Sequence, residues 1–268
     1  MSRIQTRFAQ LKQSGRKALI PFVTAGDPVP SVTVPLLHAM VKAGADILEI
    51  GVPFSDPMAE GPVIQRACER ALLHNVSLTS IFSMVAEFRE SDQSTPIVLM
   101  GYLNPIEVMG YSVFAEKAKA AGVDGLLTVD LPPEEAGELT QLLADAGIDP
   151  IYLLAPTSSE QRIALIAKAS RGFVYYVSLK GVTGVAAIDV DAVSTKLAQV
   201  RRLTDLPVGV GFGIRDGASA AAVAKIADAV VVGSAIVRLV EDSQESPAKV
   251  IENVSAFVAE LRKAIDQA

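Results

Sequence analysis

Short apolar runs rich in β-branched residues alternate with amphipathic segments along the whole chain. Runs of this length, bounded by turn residues, are typical of buried parallel strands, and the segments between them have helical periodicity. The pattern predicts eight strands, at 18–24, 46–52, 96–102, 125–130, 149–154, 173–178, 207–213 and 228–233. It predicts helices at 2–13, 31–43, 62–73, 105–121, 133–146, 159–169, 191–203, 216–226 and 246–266.

Eight strand–helix units of even spacing favour a closed (β/α)8 barrel of the TIM type, an α/β fold, formed by residues 1–268 as one domain. The helix at 2–13 is extra and precedes the first strand. The alternative is a doubly wound open sheet, which needs no fixed number of strands. A barrel predicts that the chemistry lies at the carboxyl ends of the strands and in the loops after them.

Composition excludes several classes of partner. Half of the 268 residues are apolar and the net charge is -6, with Lys and Arg dispersed along the chain, which argues against nucleic acid and against an anionic membrane surface. The single cysteine, Cys68, is expected to be a buried structural thiol. The first residues contain no apolar signal core and no apolar stretch is long enough to span a bilayer, so we expect a cytoplasmic protein.

One glutamate lies inside an apolar strand. In the second strand, Leu48, Ile50 and Val52 form a fully apolar face, whereas Glu49 shares the other face with Ile47 and Gly51. The apolar face suits packing on helices, so Glu49 is expected inside the barrel near its top. A buried carboxylate is costly unless it is paired or used, and no Lys or Arg lies within the eight predicted strands. A salt-bridged core glutamate is therefore the weaker interpretation.

Other carboxylates have plausible structural roles. Asp130 ends the fourth strand on the face opposite Leu127 and Val129, so it is expected to point away from the barrel interior or to cap the following loop. Asp27 fits a turn or a helix start, and Asp56 a solvated loop. Glu60 lies in the same loop, where a solvated charge is the simplest interpretation. Only its position after the strand of Glu49 makes it a candidate for a functional residue. Two carboxylates of different burial suggest a general acid/base pair.

Glycine-bearing loops follow the last three predicted strands. They contain Gly184, then Gly213, then Gly233 with Ser234. Glycine allows the backbone close to a ligand, and Ser234 can cap a short helix whose free N–H groups face an anion. Each glycine alone fits a tight turn, but loops after strands seven and eight are the recurrent barrel phosphate site. We therefore expect a phosphorylated substrate.

The sequence does not place the residues that metal-dependent or Schiff-base catalysis would require. His38 and His74 lie in predicted helical segments and provide no credible metal site. No lysine lies within a predicted strand for a Schiff base, and Lys180 lies in a glycine-rich loop. Acid/base chemistry by carboxylates on a sugar phosphate, without a metal or cofactor, remains.

Seven strings, in order along the chain, closely resemble the α subunit of tryptophan synthase: PFVTAGDP (21–28), LEIGVPFSDPMAEGPVIQ (48–65), MGYLNPI (100–106), DLPPEE (130–135), YYVSLKGVTG (175–184), GFGI (211–214) and VGSAIV (232–237). The resemblance implies a (β/α)8 barrel that cleaves indole-3-glycerol phosphate to indole and glyceraldehyde 3-phosphate. It also implies a pyridoxal-phosphate-dependent β subunit that receives indole through a tunnel, in an assembly of two α and two β chains.

The resemblance also implies roles for individual residues. Glu49 is similar to the carboxylate that works on the glycerol hydroxyl and the indole C3, and Glu60 occupies the position of the second catalytic carboxylate, beside the indole N–H. Gly184, Gly213, Gly233 and Ser234 resemble the phosphate site. The substrate pocket is expected from Phe22, Met100, Tyr102, Leu127, Val129, Leu153, Tyr175 and Phe212, with Thr183 in a loop at 179–190 that closes over the site.

Position 60 departs from the family pattern, which usually has aspartate there. Glutamate keeps the charge and adds one methylene, and a misplacement of about 1 Å costs roughly 100-fold in rate. A shifted loop, reduced activity and a different role all stay open. Our hypothesis is that Glu60 still serves the indole nitrogen from a retracted loop backbone.

Two further interpretations stay open beside the α subunit. One is a lyase that works alone and releases free indole, and the other is a barrel that binds the sugar phosphate and only regulates a partner. A docking surface for the β subunit is expected on the loops with Pro53, Phe54, Asp56, Asn104 and Pro132.

Overall fold

The computed structural model describes residues 1–178, 189–211 and 213–268, and within them the strands form one parallel sheet. Its strands, in chain order, are β1 (Ala18–Thr24), β2 (Leu48–Gly51), β3 (Ile97–Gly101), β4 (Gly125–Thr128), β5 (Asp149–Ile151), β6 (Leu153–Leu154), β7 (Val174–Val177), β8 (Val208–Gly211) and β9 (Ala229–Val232). Every predicted strand contains observed strand residues. The prediction at 149–154 contains two, β5 and β6, separated only by Tyr152.

Helices cover the outside of the sheet and one end of it. They are α1 (Arg3–Gln13), α2 (Pro30–Lys42), α3 (Pro62–Leu72), α4 (Leu78–Ser91), α5 (Leu103–Met109), α6 (Tyr111–Ala121), α7 (Gly137–Ala146), α8 (Glu160–Ala169), α9 (Val190–Arg201), α10 (Gly217–Ala224), α11 (Ser234–Asp242) and α12 (Pro247–Asp266). In the described ranges, none of these helices combines the length and the apolar character that a membrane span requires.

The sheet closes into a barrel. Strand order is β5-β4-β3-β2-β1-β9-β8-β7-β6, and the two terminal strands of this order are consecutive in the chain. The carbonyl of Tyr152, between them, accepts a hydrogen bond from the Tyr175 amide at 3.2 Å. One extended segment therefore pairs with β4 on one side and β7 on the other. The predicted TIM barrel is confirmed, and the open doubly wound alternative is wrong.

The side chains of each strand divide between two cores. Leu48, Ile50 and Val52 lie in the outer core between sheet and helices, as the alternation predicts. Ile47 points into the barrel, where Ile4 and Phe8 of α1 fill the amino-terminal end. The extra amino-terminal helix thus closes the bottom of the barrel, and the opposite end stays available for a site.

Three helical predictions differ from the structure. The segment 105–121 is divided into α5 and α6 at Gly110, whose φ of 84° lies in the left-handed region and interrupts the helix. The helix predicted at 133–146 begins only at Gly137. Helix α4 is absent from the predicted set, and it begins at a capping box formed by Ser77 and Ser80.

Candidate active site

A cavity opens at the carboxyl ends of the strands. Both candidate carboxylates and three aromatic or apolar residues from the predicted pocket contribute to it. The described lining residues are Phe22, Glu49, Glu60, Ile64, Met100, Tyr175, Gly213, Ile214, Val231, Gly233 and Ser234. The barrel thus brings together residues that are separated by up to about two hundred positions in the chain.

Glu49 projects from β2 into this cavity between Phe22 of β1 and Val98 of β3, its neighbours in the sheet register. It is 1% exposed, and its Oε1 finds no hydrogen-bond partner among the described residues. Burial, and then the charge of Glu60, raise the pKa of Glu49 to about 8. Gly51, two residues on, leaves room that the ring of Phe22 occupies, since a Cβ at Gly51 would come within 2.5 Å of that ring.

Glu60 lies in the loop between β2 and α3, yet its side chain is buried rather than solvated. It is 9% exposed, and burial raises its pKa to about 7. The side-chain amide of Gln65 donates to the Glu60 carbonyl at 2.8 Å, and the Glu60 amide donates to the carbonyl of Pro57 at 2.9 Å. The loop therefore turns Glu60 inward, and the solvated alternative is wrong.

The two carboxyl groups line the same cavity and interact electrostatically. Their pKa values of about 8 and about 7 place proton exchange near neutral pH, where a general acid or base works best. Because the two groups interact, their titration belongs to the pair. Burial and the charges of both glutamates also raise the pKa of Tyr175 well above its usual value, so its hydroxyl keeps its proton.

Residues that follow β8 and β9 also line the cavity. Gly213, with φ of 78°, follows β8, and Gly233 and Ser234 follow β9 at the start of α11. The first N–H groups of a helix lack intrahelical partners and favour an anion. One detail corrects the sequence prediction: Gly233 is the N-cap and Ser234 the first helical residue, without a side-chain cap. The backbone conformation at Gly233 selects the cap there, not the serine hydroxyl.

Apart from Tyr102, the predicted pocket residues divide into three groups. Phe22, Met100 and Tyr175 line the cavity. Leu127, Val129 and Leu153 belong to the inner core and are not among its described lining residues. Gly184, Thr183 and Phe212 lie outside the described residues, as do Lys180 and most of the 179–190 loop.

Tyr102 is not among the described lining residues of the main cavity. It is the residue before α5, its ring stacks on Phe54 at 5.3 Å, and its hydroxyl accepts a hydrogen bond from the Ala59 amide at 3.0 Å. Together with Thr24 and Cys68 it lines a smaller cavity next to Glu60. Tyr102 therefore contacts the loop that carries Glu60.

Sequence reasoning missed four residues around the glutamates. Val231 shares the inward face of β9 with Gly233, so strand alternation could have identified it. Ile64 lies in α3 and Ile214 lies beyond the end of β8, so strand alternation does not apply to either. The Thr24 hydroxyl is buried without a hydrogen-bond partner among the described residues, beside Glu60.

The rival residues have structural partners. Asp130 accepts a hydrogen bond from the Leu103 amide at the start of α5, at 2.8 Å, so its role is structural, but the segment that it contacts precedes it in the chain and is not the loop that follows it. Asp27 is buried and paired with Arg70 at 2.6 Å, a long-range contact that the turn interpretation missed. Asp56 is exposed, as expected, and bonded to the hydroxyl of Ser55.

The other candidate ligands also have ordinary roles. His38 stacks on Phe88 at 4.4 Å, and His74, which lies just beyond α3 rather than within a helix, contacts the carbonyl of Pro28 at 3.1 Å. Cys68 is buried, as predicted, and burial raises the pKa of its thiol. The described part of the chain contains no group of three or more His, Cys, Asp or Glu that could hold a metal ion.

Comparison with known proteins identifies the family. A family model described as "Tryptophan synthase alpha chain" matches residues 8–266. Tryptophan synthase alpha chains from Thioalkalivibrio sulfidiphilus and Nitrosococcus oceani are 65% and 62% identical over 266 residues, which cover 99% of this chain and 100% and 98% of those proteins. The crystal structure of tryptophan synthase subunit alpha from Legionella pneumophila str. Paris has a TM-score of 0.92 and 44% identity, with full coverage of both chains. The chain therefore belongs to the tryptophan synthase alpha chain family and is an enzyme subunit of tryptophan biosynthesis.

Proposed function

We propose that this chain is a carbon–carbon lyase that cleaves indole-3-glycerol phosphate to indole and glyceraldehyde 3-phosphate. The observation that carries the proposal is Glu49, a buried carboxyl whose Oε1 has no hydrogen-bond partner among the described residues and which shares a cavity with Glu60 and with a helix amino terminus. An unpaired buried carboxyl is costly to retain in a core and is useful in a reaction that moves protons.

The reaction begins at the indole ring. The bond between indole C3 and the glycerol carbon cannot break while C3 would leave as an unstabilised carbanion. A proton delivered to C3 places positive charge at the ring nitrogen, where the carboxylate of Glu60 offsets it. Glu49, whose pKa is about 8, holds a proton at neutral pH and is assigned as the group that works near C3.

Cleavage follows as a retro-aldol step. Removal of the glycerol hydroxyl proton forms the aldehyde of glyceraldehyde 3-phosphate, and the electron pair of the broken carbon–carbon bond returns to the ring to give neutral indole. Glu49, having lost its proton to C3, is assigned as the base. Each positioned acid/base group contributes on the order of 10²–10⁴-fold. The scheme needs no cofactor in this chain.

The phosphate group is assigned to the glycine-lined side of the cavity. Gly213, Gly233 and Ser234 lie there, and α11 directs its amino terminus toward the same space. The helix dipole and free N–H groups favour an anion. Gly184 and Thr183 keep the roles that the family resemblance implies, namely phosphate binding and closure over Glu60.

Membership of the family implies a β-subunit partner. We propose that two α and two β chains assemble, that the β subunit holds pyridoxal phosphate, and that indole passes to it directly. The docking surface is assigned to the loops at the carboxyl ends of the strands, which contain Pro53, Phe54, Asp56, Asn104 and Pro132. Asp56 and Asn104 are exposed there. Unchanged β-subunit binding by Asp56→Ala would remove Asp56 from this surface.

The decisive experiment measures indole released from indole-3-glycerol phosphate by the purified chain, with and without a β subunit. We expect low release alone and a marked increase with the partner. High release by the chain alone would instead favour a lyase that works by itself. No release in either condition would favour a barrel that only regulates its partner and would overturn the proposed reaction.

The role of Glu60 needs a separate variant. We propose that it serves the indole nitrogen although the family usually has aspartate at this position, so Glu60→Ala should lower indole release on the order of 10²-fold or more. Unchanged release by this variant would show that Glu60 does not take part.

A further inference from the structure

Glu60 is an inward-facing residue at the end of an outward-facing loop. Met58 is 78% exposed, and Ser55, Asp56 and Ala59 are also exposed, whereas Glu60 is 9% exposed. Turning a carboxyl group from water into a cavity is unfavourable by itself. Contacts from outside the loop must therefore offset this cost and hold the turn.

Two side chains provide such contacts, and they come from different elements. The hydroxyl of Tyr102, at the end of β3, accepts a hydrogen bond from the Ala59 amide at 3.0 Å. The side-chain amide of Gln65, in the first turns of α3, donates to the Glu60 carbonyl at 2.8 Å. One bond lies just before Glu60 and the other just after it, so together they fix the backbone from which its side chain projects.

The ring of Tyr102 adds a second anchor at the other end of the loop. It stacks on Phe54 with 5.3 Å between ring centroids. Tyr102 therefore contacts both Phe54 and Ala59, while the Glu60 amide closes a turn onto the carbonyl of Pro57. Neither Tyr102 nor Gln65 is among the described lining residues of the main cavity.

We propose that Gln65 and Tyr102 are positioning residues that hold the Ala59–Glu60 backbone, so that the Glu60 carboxyl stays inside the cavity beside Glu49. The catalytic meaning of this inference rests on the function proposed above, but the positioning itself is a property of the free protein. The extra methylene of glutamate must then be accommodated by its side chain, because the backbone on both sides is bonded.

The surroundings of Glu60 indicate what releasing the loop would change. Burial is the cause that raises the pKa of Glu60, and the titratable groups affected by its charge are Glu49, Tyr175, Cys68 and Tyr102. All of them are anionic or neutral, so none holds the carboxylate inward by attraction. If the backbone bonds are lost, the carboxyl group can reach water and its pKa should fall.

The test is a carboxyl ¹³C titration of Glu60 in the free protein, with the resonance assigned by its loss in Glu60→Gln. The variants are Gln65→Met, which keeps length without the amide, and Tyr102→Phe, which keeps the ring without the hydroxyl. Tyr152→Phe is the control, since its hydroxyl bonds to Thr140 at 2.8 Å away from the site. We expect the Glu60 pKa to fall from about 7 toward its ordinary 4.5 in both variants and in their double mutant, and to stay in the control.

An unchanged Glu60 pKa in both folded variants would overturn the proposal, and a fall in Gln65→Met alone would restrict it to Gln65. If Tyr102→Phe fails to fold, Gln65→Met still decides the matter. The titration uses no substrate, so it gives an answer even if the chain releases no indole. Where indole is released, we expect kcat to fall by about 10-fold to 100-fold with a smaller change in KM, because a misplaced group costs rate.

Discussion

Asp46 and Glu49 lie three positions apart on one segment and are equally buried, at 1% exposure, but their surroundings are opposite. Asp46 lies at the bottom of the barrel, where Arg7 and Arg262 approach it at 2.5 and 2.9 Å and the Leu19 amide donates to it at 2.8 Å. Glu49 lies at the top, and no hydrogen bond reaches its Oε1 within the described residues.

The same contrast recurs around the barrel. Asp124, which precedes β4, is paired with Arg3 and Arg89 at 2.8 and 2.7 Å and accepts from the Ile97 amide at 2.8 Å. Glu60, at the top, has no ion pair among those found in the described part of the chain. Burial alone therefore does not distinguish a structural carboxylate from a reactive one. The partners do, because an arginine and a backbone N–H stabilise the charged form, whereas an apolar cavity raises the pKa.

The largest expected effect is on catalysis at the top. Glu49→Gln keeps the size of the side chain and removes its proton chemistry, so indole release should fall on the order of 10²–10⁴-fold. Thermal unfolding should show a protein at least as stable as the parent, because no ion pair is lost. Retained activity would show that another residue carries out the acid/base chemistry. It would then be wrong to distinguish Glu49 from the basal carboxylates as a reactive group.

The largest expected effect on stability is at the bottom. Asp46→Ala leaves Arg262, itself 8% exposed, without its buried partner, and breaking such a pair costs about 3–5 kcal/mol. Urea unfolding should measure this loss, while indole release per folded molecule stays near that of the parent. Asp46→Asn is the matched variant, since it removes the charge and keeps the shape. A negligible change in both variants would mean that the basal pairs contribute little.

The pH dependence of stability should identify the top carboxyls. The folded-state pKa of Glu49 is raised from 4.5 to about 8, so the folded protein holds this proton more tightly than the unfolded chain does. Its contribution to stability is therefore complete below pH 4.5 and is lost as the pH rises through 8. Glu49→Gln should flatten the fall in the free energy of unfolding across this window, and Glu60→Gln should flatten it less, since the Glu60 pKa is about 7. An identical slope in parent and Glu49→Gln would contradict the raised pKa.

The sequence predicted the position of Glu49 inside the barrel but not the burial of Glu60. The alternation of β2 identifies the inward face of Glu49, because side-chain period in a strand is fixed by the backbone. The burial of Glu60 has no such signal, since it depends on bonds from Tyr102 and Gln65 to a loop. Tyr102 was expected in the pocket from the family resemblance, and it lies just beyond β3, which ends at Gly101, so strand alternation does not fix where its side chain points.

The basal pairs were not predictable from the chain. Arg262 and Asp46 are 216 residues apart, and nothing local distinguishes this arginine from the lysines on the same helix. The same holds for Asp27 and Arg70, which the turn signal around Asp27 concealed. The closed barrel explains both cases, because it brings the first and last helices together and sets each helix beside strands distant in sequence.

The smallest expected effect concerns a carboxylate that is paired but exposed. Glu160 and Arg202 approach to 3.3 Å, and each side chain is 68% exposed. Water already stabilises both charges and salt screens them, so Glu160→Gln should change the free energy of unfolding by less than about 1 kcal/mol in urea. Since this pair shares the ionic chemistry of Asp46 but not its burial, the difference between the two variants measures what burial adds. A loss as large as that of Asp46→Ala would mean that pairing by itself, rather than pairing inside the barrel, stabilises this protein.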